Sequence, residues 1–352
     1  MSDLTNSLQQ QVETAIAERC ALRIVGGDSK SFYGRTPQGE ALHVAGHSGI
    51  VSYEPTELVI TARAGTPLDQ IEQTLHASQQ MLPFEPPHFG TTATLGGTIA
   101  CNLSGPRRPY SGAARDFVLG TRVINGKAEV LRFGGEVMKN VAGYDVSRMM
   151  TGALGTLGVL LDISLKVLPC PASETTLVQE CTEAGAIEAM NRWATQPLPL
   201  SASAFVDGRL YVRLYGTEKG VHVARAQIGG ELLAQGDSFW RELREQQLAF
   251  FKQAGALWRL SVPPNAPALA LAGESLLEWG GGLRWLSTDA DARSVRAAVA
   301  AVGGHAALFR GGDRDGAVFQ PLDAGLAQVH QRLKNAFDPQ RIFNPGRMYQ
   351  DL

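Results

Sequence analysis

The chain of 352 residues is 44% hydrophobic and 19% charged, with a formal net charge of −2. This is the composition of a soluble globular protein of about two domains, and neither sign of charge forms the long run typical of nucleic-acid binding. No segment reaches the roughly 20 apolar residues that span a bilayer, and the first residues lack the basic and apolar regions of a secretory signal. We therefore expect a cytoplasmic protein.

The first predicted elements are a helix and a strand. Leu4, Leu8, Val12 and Ile16 recur at intervals of four residues, which predicts an opening helix with one apolar face. The following segment, "CALRIVGGDSKSFYG", has the pattern of a short strand that runs into a glycine turn. The chain therefore begins with a helix and a strand that ends in a turn.

The segment "ELVITARAGTPLDQIEQTL" predicts a second strand and helix, with Thr66 as the N-cap and Pro67 as the first helical residue. The β-rich segments "FVLGTRVI" and "AEVLRFGG" flank "NGK", which is a strong hairpin signal. A further strand, "GTLGVLLDISLKVLP", ends at a proline. We place a domain boundary just after it.

The second half mixes its elements differently. A hairpin is predicted across Asp207 and Gly208, and helices are predicted in "AGAIEAMNRWAT", "FWRELREQQLAFF" and "ADARSVRAAVAAV". The strands "LWRLSVP" and "LRWLST" lie between the last two helices. This order predicts an α+β sandwich with one antiparallel sheet. No internal repeat is visible in the sequence.

Two small-residue segments raise the question of a ligand. The run "GTTATLGGTIACNLSGP", residues 90–106, holds hardly one large side chain, which a partner helix, a tight turn or a flat ligand could each require. In "VGGDSKS", Gly26 and Gly27 permit positive φ, so that the N–H groups of Asp28, Ser29 and Lys30 could converge on a phosphate. The same residues could also form a simple turn.

Several kinds of site lack a signature. The G-x-G-x-x-G and P-loop motifs and the G-x-S-x-G elbow are absent. The spacing of His43 and His47 would suit a metal only on a helix, so a solvated pair is favoured, and no metal site is expected. No C-x-x-C pair occurs, which argues against an iron–sulfur cluster within this chain. Arg107, Arg108 and Arg259 could bind an anionic substrate or form salt bridges.

Taken in order, these pieces resemble the FAD-linked oxidases of the vanillyl-alcohol oxidase type. The turn "RIVGGDSKS", the run "TLGGTIACNLSGP", the loop "GGEVMKNVAGYDVSRMMTGALGTLGV" and the tail "FDPQRIFNPGRMY" carry this resemblance. Within that family, "PPHFGTTATLGG" and "SGPRRPYSGAARDFVLGTR" are similar to the smaller FAD-binding subunits of glycolate oxidases. The resemblance is dense over residues 20–170, thin over 171–330 and clear again over 331–349.

The resemblance implies an α+β fold with three parts. Residues 1–170 form a two-subdomain FAD-binding domain, residues 171–330 form an α+β cap domain with an antiparallel sheet, and residues 331–352 return to the FAD domain. Small residues at Gly96, Gly97, Ala100 and Gly105 are expected where the backbone approaches the cofactor. The full set of cofactor-binding residues that it implies is Val25, Gly26, Gly27, Asp28, Ser29, Lys30, Pro87, Thr94, Gly96, Gly97, Ala100, Asn102, Gly105, Asn140, Gly158, Val159 and Asn344.

The phosphate turn departs from the family pattern in two ways. Members that bind flavin covalently use a His or Cys in or near this turn, whereas here it holds Asp28, Ser29 and Lys30. The FAD is therefore expected to be non-covalent. The turn usually carries another glycine where this chain has Lys30, whose charge could offset that of a pyrophosphate.

The resemblance implies an FAD-dependent oxidoreductase that acts on 2-hydroxy acids as one subunit of a complex. In that complex, a catalytic FAD-linked oxidase subunit and an iron–sulfur subunit are the partners, and the chain could reach the inner membrane peripherally through them. Two alternatives stay open: a self-sufficient 2-hydroxyacid dehydrogenase of the D-lactate type, and a non-catalytic flavoprotein scaffold.

No catalytic residue is assigned from the sequence. Catalytic relatives carry a Gly-Glu-His-Gly loop upstream of the tail, whereas residues 303–316 of this chain read "GGHAALFRGGDRDG". Arg310 and Asp313 stand where a Glu-His pair would be expected, and His305 lies well before them. Oxidation of a 2-hydroxy acid needs a base for the hydroxyl proton, so we expect little activity from this chain alone.

Overall fold

A computed structural model describes residues 2–135 and 145–352. In these residues, most strands fall into two antiparallel sheets, one of five strands from the first half and one of eight from the second half. The predicted antiparallel sheet of the second half is confirmed. None of the described helices is long and apolar enough to cross a bilayer.

The first half holds the five-stranded sheet and the helices that cover it. Its elements are α1 (Thr5–Glu18), β1 (Leu22–Val25), β2 (Glu40–His43), β3 (Ile50–Glu54), β4 (Val59–Arg63), α2 (Leu68–Ala77), β5 (Gln80–Met81), α3 (Leu95–Cys101), α4 (Arg108–Ser111), α5 (Ala114–Phe117), β6 (Val118–Ile124), β7 (Val130–Gly134), α6 (Val146–Met150), β8 (Val159–Lys166) and β9 (Leu168–Pro169). The sheet order is β3-β4-β8-β6-β7, and β1 and β2 form a separate parallel pair. The hairpin predicted around "NGK" is the β6–β7 pair.

Helix α2 packs on this sheet as its apolar spacing predicts, since Leu68, Ile71 and Leu75 are buried in the same core as the strands. The predicted cap of this helix is wrong. Pro67 occupies the N-cap position, and the buried Thr66 hydroxyl instead accepts a hydrogen bond from Gly49 N (2.9 Å). Because Thr66 is inaccessible to water, its hydroxyl satisfies the neighbouring loop backbone rather than the helix end.

The second half holds the eight-stranded sheet. Its elements are β10 (Ser173–Glu180), α7 (Glu183–Ala194), β11 (Leu200–Val206), β12 (Arg209–Gly216), α8 (Glu218–Ile228), β13 (Glu231–Leu232), α9 (Gly236–Arg244), β14 (Ala256–Ser261), β15 (Glu274–Glu278), β16 (Leu283–Thr288), α10 (Ala292–Ala301), β17 (His305–Arg310) and α11 (Ala324–Phe337). The hairpin predicted across Asp207 and Gly208 joins β11 to β12. The helix predicted in "FWRELREQQLAFF" ends at Arg244, because Gln246 adopts a left-handed φ of 54°.

The eight-stranded sheet is built from two similar halves. Its order is β13-β10-β12-β11-β15-β16-β14-β17. Numbered from its own first strand, each half has the order 4-1-3-2 of a split β-α-β motif, and the halves meet at the β11–β15 pair. The second half replaces its first helix with the Pro-rich segment 262–273. The repeat lies in the backbone path and not in the side chains, so the sequence did not reveal it.

The C-terminal segment returns to the first strand. Leu22 N donates to Ile342 O, and Asn344 N donates to Leu22 O at 2.8 Å. A buried ion pair supports the return, because Lys334 Nζ lies 2.8 Å from Asp338 Oδ2 and also donates to Phe343 O. The last residues are thereby held against β1, beside the glycine turn.

Buried ion pairs join the two halves. Arg213 on β12 donates to both carboxylate oxygens of Glu85 at 2.8 Å, and Arg107 binds Glu174 on β10. Burial alone would raise the pKa of Glu85, but the Arg213 guanidinium holds that pKa below its usual value. The Glu245 carboxylate, at the end of α9, accepts hydrogen bonds from His88 N and Phe89 N. The loop that leads into α3 is therefore held by the second half.

Candidate functional site

A cleft opens at the end of β1. Its walls are the glycine turn of residues 25–31, helix α3, the segment that joins α6 to β8, and the C-terminal return segment. Four separate parts of the chain thus meet around one space.

The cleft collects most of the residues that the sequence marked as cofactor-binding. Those that line it are Val25, Gly26, Gly27, Asp28, Ser29, Lys30, Thr94, Gly96, Gly97, Ala100, Gly158 and Asn344. Pro87 and Gly105 instead line a second cavity. Asn102 is the C-cap of α3, and Val159 is buried in the core at the start of β8. Asn140 lies outside the described residues.

The glycine turn presents unused backbone donors. In the part of the chain that the structure describes, the N–H groups of residues 26–30 have no protein acceptor. The predicted reason for the two glycines is wrong, since neither has a positive φ, whereas Asp28 does (57°). A Cβ on Gly26 would lie 2.6 Å from Thr94 Oγ1, and one on Gly27 would lie 1.4 Å from Thr92 O. Both are glycines because the loop before α3 crosses them closely, and the turn keeps the free N–H groups of an anion nest.

Exposure to the cleft explains only some of the small residues in the run that includes helix α3. Among the described residues, a Cβ on Gly97 would meet only Thr94 Oγ1, at 3.3 Å, and Gly97 lines the cleft. A Cβ on Gly96 would lie 2.7 Å from Ala64 Cβ, and one on Gly105 would lie 2.2 Å from Glu85 O. These two residues are small because protein atoms press against them. The explanation by cofactor contact is therefore wrong for Gly105 and unnecessary for Gly96.

The charged side chains of the cleft are mostly positive. Arg23, Lys30 and Arg347 line it together with Asp28. Lys30 Nζ donates to His88 O at 3.1 Å, and Arg347 Nη2 donates to Ser31 O at 2.9 Å. Burial lowers the pKa of both groups. Sequence analysis missed Arg347, although it follows Asn344 by three residues in the recognised tail.

Asn344 fastens the tail to two walls of the cleft. Its Oδ1 accepts from Ile24 N at 2.8 Å, and its Nδ2 donates to Leu154 O at 2.7 Å. Its backbone adopts a left-handed φ of 40°, which Asn tolerates better than most residues. The side chain therefore connects β1 to the segment before β8.

These residues fit a dinucleotide with a flat ring. Free N–H groups and cations suit a diphosphate, and the remaining wall is small or apolar, with Gly97, Ala100, Leu154 and Leu160. The Cys101 thiol also lines the cleft. Burial raises its pKa, so it stays protonated and is a poor nucleophile.

Comparison with known proteins agrees with this fit. Residues 4–134 match the family model described as FAD binding domain. The chain is 51% identical over 350 residues to "Glycolate oxidase subunit GlcE" of Escherichia coli (strain K12), which covers 99% of both chains. It is 29% identical over 222 residues to a D-lactate dehydrogenase of Anaerostipes hadrus, covering 59% of this chain and 45% of that one. The chain belongs to the FAD-linked oxidase family.

The fold agrees with a solved structure of low sequence identity. A crystal structure of p-cresol methylhydroxylase with substrate bound aligns with a TM-score of 0.76 and 17% identity, and covers 99% of this chain and 88% of that one. The predicted fold class and the predicted FAD cofactor are confirmed.

One expectation about the histidines is wrong, and one group of side chains was not foreseen. His47 is completely buried rather than solvated, and its Nδ1 accepts from Leu4 N at 3.0 Å. No cluster with metal-binding spacing was expected, yet His88 lies between Asp69 and Glu72, with 3.1 Å from each ring nitrogen to a carboxylate oxygen. Residues distant in sequence form this group, so spacing could not show it. Among the described residues, the buried Nε2 of His88 has no hydrogen-bond partner.

The arginines proposed for anions have different surroundings. Arg107 forms the ion pair with Glu174, and Arg108 stacks on Trp279 with 4.4 Å from its guanidinium carbon to the ring centre. Arg259 lines the second cavity. Glu278 lines the same cavity, and no local sequence pattern predicts this, because only the pairing of β14, β16 and β15 brings the two residues together.

Proposed function

We propose that this chain is the FAD-binding subunit of a complex that oxidises glycolate to glyoxylate. The observation that carries the proposal is the 51% identity to the GlcE subunit of glycolate oxidase across 99% of the chain. In this complex, a catalytic FAD-linked oxidase subunit and an iron–sulfur subunit are the partners. The complex is cytoplasmic and reaches the inner membrane peripherally through its partners.

The proposed domain division follows the two sheets. Residues 1–170 form the FAD domain and residues 171–330 the cap, each with its own buried core. Residues 331–352 form the return segment, which contributes Asn344 and Arg347 to the cleft. The ion pairs between Arg213 and Glu85 hold the two domains together.

The residues of the cleft have distinct proposed roles toward FAD. The N–H groups of residues 26–30 bind its diphosphate, and Lys30 and Arg347 offset the negative charge. Gly97 and Ala100 leave room for the flat ring. When bound, FAD supplies the redox chemistry, and the protein supplies position and electrostatics.

We propose that the FAD is held without a covalent bond. No histidine lines the cleft among the described residues, and the Cys101 thiol is kept protonated by burial. Acid or heat is expected to release all of the flavin from the purified chain. Flavin that stays with the denatured polypeptide would contradict this.

Omission of this chain tests the proposed function. The three subunits are co-expressed with and without it, and glycolate-dependent reduction of a dye is measured in the purified complex. We expect activity to be lost without the chain and restored when the FAD-loaded chain is added back. Full activity of the two remaining subunits would refute the proposal.

A self-sufficient 2-hydroxyacid dehydrogenase is the second candidate, favoured by the similarity to a D-lactate dehydrogenase. Anaerobic mixing of the isolated chain with glycolate or D-lactate separates the two. We expect no rapid bleaching of the flavin band, because residues 303–316 hold no Glu-His pair. Rapid bleaching would favour the second candidate, and a chain that cannot take up flavin would favour a scaffold.

A further inference from the structure

His88, in the loop that leads into α3, lies between two carboxylates of helix α2. Asp69 and Glu72 are three positions apart and therefore project from the same side of that helix. His88 places its Nδ1 3.1 Å from Asp69 Oδ1 and its Nε2 3.1 Å from Glu72 Oε2. One possible ligand atom from each residue lies within 4.8 Å of those of the other two. The loop and the helix thus bring together donor atoms that suit a metal ion.

The Nε2 atom of His88 lacks the partner that a buried nitrogen requires. Only 8% of His88 is exposed, and within residues 2–135 and 145–352 its Nε2 has no hydrogen-bond partner. A buried polar atom of this kind is rare in folded proteins and indicates a missing ligand, ion or water. Its contact with Glu72 Oε2 does not have the geometry of a hydrogen bond. The nitrogen is therefore directed at a carboxylate that does not satisfy it.

The Asp69 carboxylate decides which ring nitrogen can bind an ion. A carboxylate beside one imidazole nitrogen keeps a proton on that nitrogen and leaves the lone pair of the other nitrogen free for a metal. With the proton on Nδ1, toward Asp69, the Nε2 lone pair faces a negative oxygen of Glu72 at 3.1 Å. Two electron-rich atoms at this distance repel each other unless a positive charge lies between them. That charge is either a second proton on the ring or a cation.

An imidazole nitrogen and a carboxylate oxygen are ligands that suit Zn²⁺. Bonds of about 2.0–2.2 Å to zinc place two ligands of one ion roughly 3.0–3.4 Å apart. The distance from His88 Nε2 to Glu72 Oε2, 3.1 Å, falls in this range. Mg²⁺ and Ca²⁺ prefer oxygen ligands alone. The side chains of Asp69 and Glu72 are partly exposed, so water can fill the remaining positions around the ion.

We propose that His88 Nε2 and the Glu72 carboxylate bind a Zn²⁺ ion, with Asp69 as the positioning residue that orients the ring through Nδ1. The ion fastens the loop that leads into α3 to helix α2. The backbone of His88 is attached on two further sides, because its carbonyl accepts from Lys30 Nζ and its N–H donates to Glu245. Since Lys30 lines the cleft, zinc bound at His88 stabilises one wall of the cleft.

Calorimetric titration of the FAD-loaded chain with zinc chloride tests the proposal. We expect saturable binding that His88→Gln weakens by about tenfold or more. Glu72→Gln should weaken it similarly, and since this side chain is partly exposed, the variant should fold even if His88→Gln does not. His76→Gln is the matched control, because it removes an exposed imidazole of the same helix outside the group, and it should change the Kd by less than about twofold. Any zinc bound by the free cysteines is common to all these proteins.

Asp69→Asn tests the positioning role separately. Loss of a carboxylate that orients a histidine ligand typically weakens metal affinity by about 10–100-fold. The nitrogen chemical shifts of the His88 ring, measured by NMR without zinc, give an independent readout. Above neutral pH, the unchanged protein should carry its ring proton on Nδ1, whereas Asp69→Asn should show both tautomers. Identical spectra and identical zinc affinities of the two proteins would show that Asp69 does not orient the ring.

Absence of zinc binding to the folded, FAD-loaded chain would overturn the proposal, as would equal affinities of His88→Gln and His76→Gln. A ring that carries protons on both nitrogens above neutral pH would identify the positive charge as a proton and would also overturn it. Zinc should raise the temperature at which heating releases the flavin from the unchanged protein but not from Glu72→Gln, because a ligand stabilises the state that binds it. An unchanged release temperature would contradict the role of the ion at the cleft.

Discussion

At the scale of the residue, two neighbouring positions of helix α3 are glycine for different reasons. Gly96 is small because Ala64, the residue after β4, presses against it, whereas Gly97 is small where the cleft is open. A sequence can show that a run is small, but it cannot show which atoms lie against each member. Gly97 and Ala100, which the resemblance assigned to the cofactor, line the cleft. Gly105 was assigned to the cofactor as well, although a Cβ there would meet the Glu85 carbonyl.

Gly97→Leu should lose flavin more than it loses stability. The added carbons enter the open cleft, where overpacking against a bound ring costs about 1–3 kcal/mol. The ratio of flavin to protein absorbance after purification measures the loss. Gly96→Leu is the matched comparison, and it should lower the free energy of unfolding because Ala64 lies in its way. Full FAD occupancy in Gly97→Leu would show that α3 does not face the flavin at this position.

Glu278 makes stability depend on pH. Its folded pKa of about 7 exceeds the ordinary value of 4.5, so the native state holds a proton that the unfolded state releases in between. The stability that protonated Glu278 allows is fully present below pH 4.5 and is lost as pH rises through 7. The free energy of unfolding should fall by about 3 kcal/mol over this range. The free energy of unfolding, measured with urea at pH 5 and pH 8, should therefore be higher for Glu278→Gln, relative to the unchanged protein, at pH 8 than at pH 5. A difference that stays constant would contradict the shift.

At the scale of the element, local signals predicted much of the backbone. The apolar stripe of α2, the β6–β7 hairpin and the Asp207-Gly208 turn were all visible, because neighbouring residues determine them. The N-cap of α2 was not predicted correctly, because the buried Thr66 hydroxyl accepts a hydrogen bond from Gly49 N instead. Arg259 and Glu278 come together only through the pairing of β14, β16 and β15, for which no local pattern exists.

Asn344→Ala should loosen the return segment. It leaves the Ile24 N–H and the Leu154 carbonyl without partners in a buried place, which costs about 1–3 kcal/mol for an unsatisfied group. Chemical denaturation measures this cost, and flavin affinity should fall with it. Asn335→Ala, on the exposed side of α11, should change the free energy of unfolding by no more than about 0.5 kcal/mol. Equal effects of the two would contradict the assigned role of the tail.

At the scale of the whole molecule, the two halves meet through buried charges as well as apolar contacts. Arg213 is 2% exposed, and the Glu85 carboxylate binds it through two hydrogen bonds. Such a pair fixes relative position more than it adds stability, because both charges lose water. The second cavity lies between the same two halves.

Arg213→Met should be strongly destabilising. It leaves Glu85 buried without its bidentate partner, and loss of one member of a buried pair costs about 3–5 kcal/mol. Arg209 lies on the same strand as Arg213, and Arg209→Met removes an exposed ion pair with Glu180 of β10. This change should cost no more than about 1 kcal/mol. Unfolding midpoints of the two variants compare them directly. A small effect of Arg213→Met would mean that other contacts hold the halves together.

The hydrogen bond from Ile24 N to Asn344 Oδ1 spans 320 residues of chain. At a synthesis rate of about 5–20 residues per second, roughly a quarter of a minute to a minute separates the emergence of its two ends from the ribosome. Throughout that interval, the glycine turn exists without the wall that Asn344 and Arg347 complete. If these residues hold the flavin, we expect stable flavin binding only after the C-terminal return segment has been synthesised.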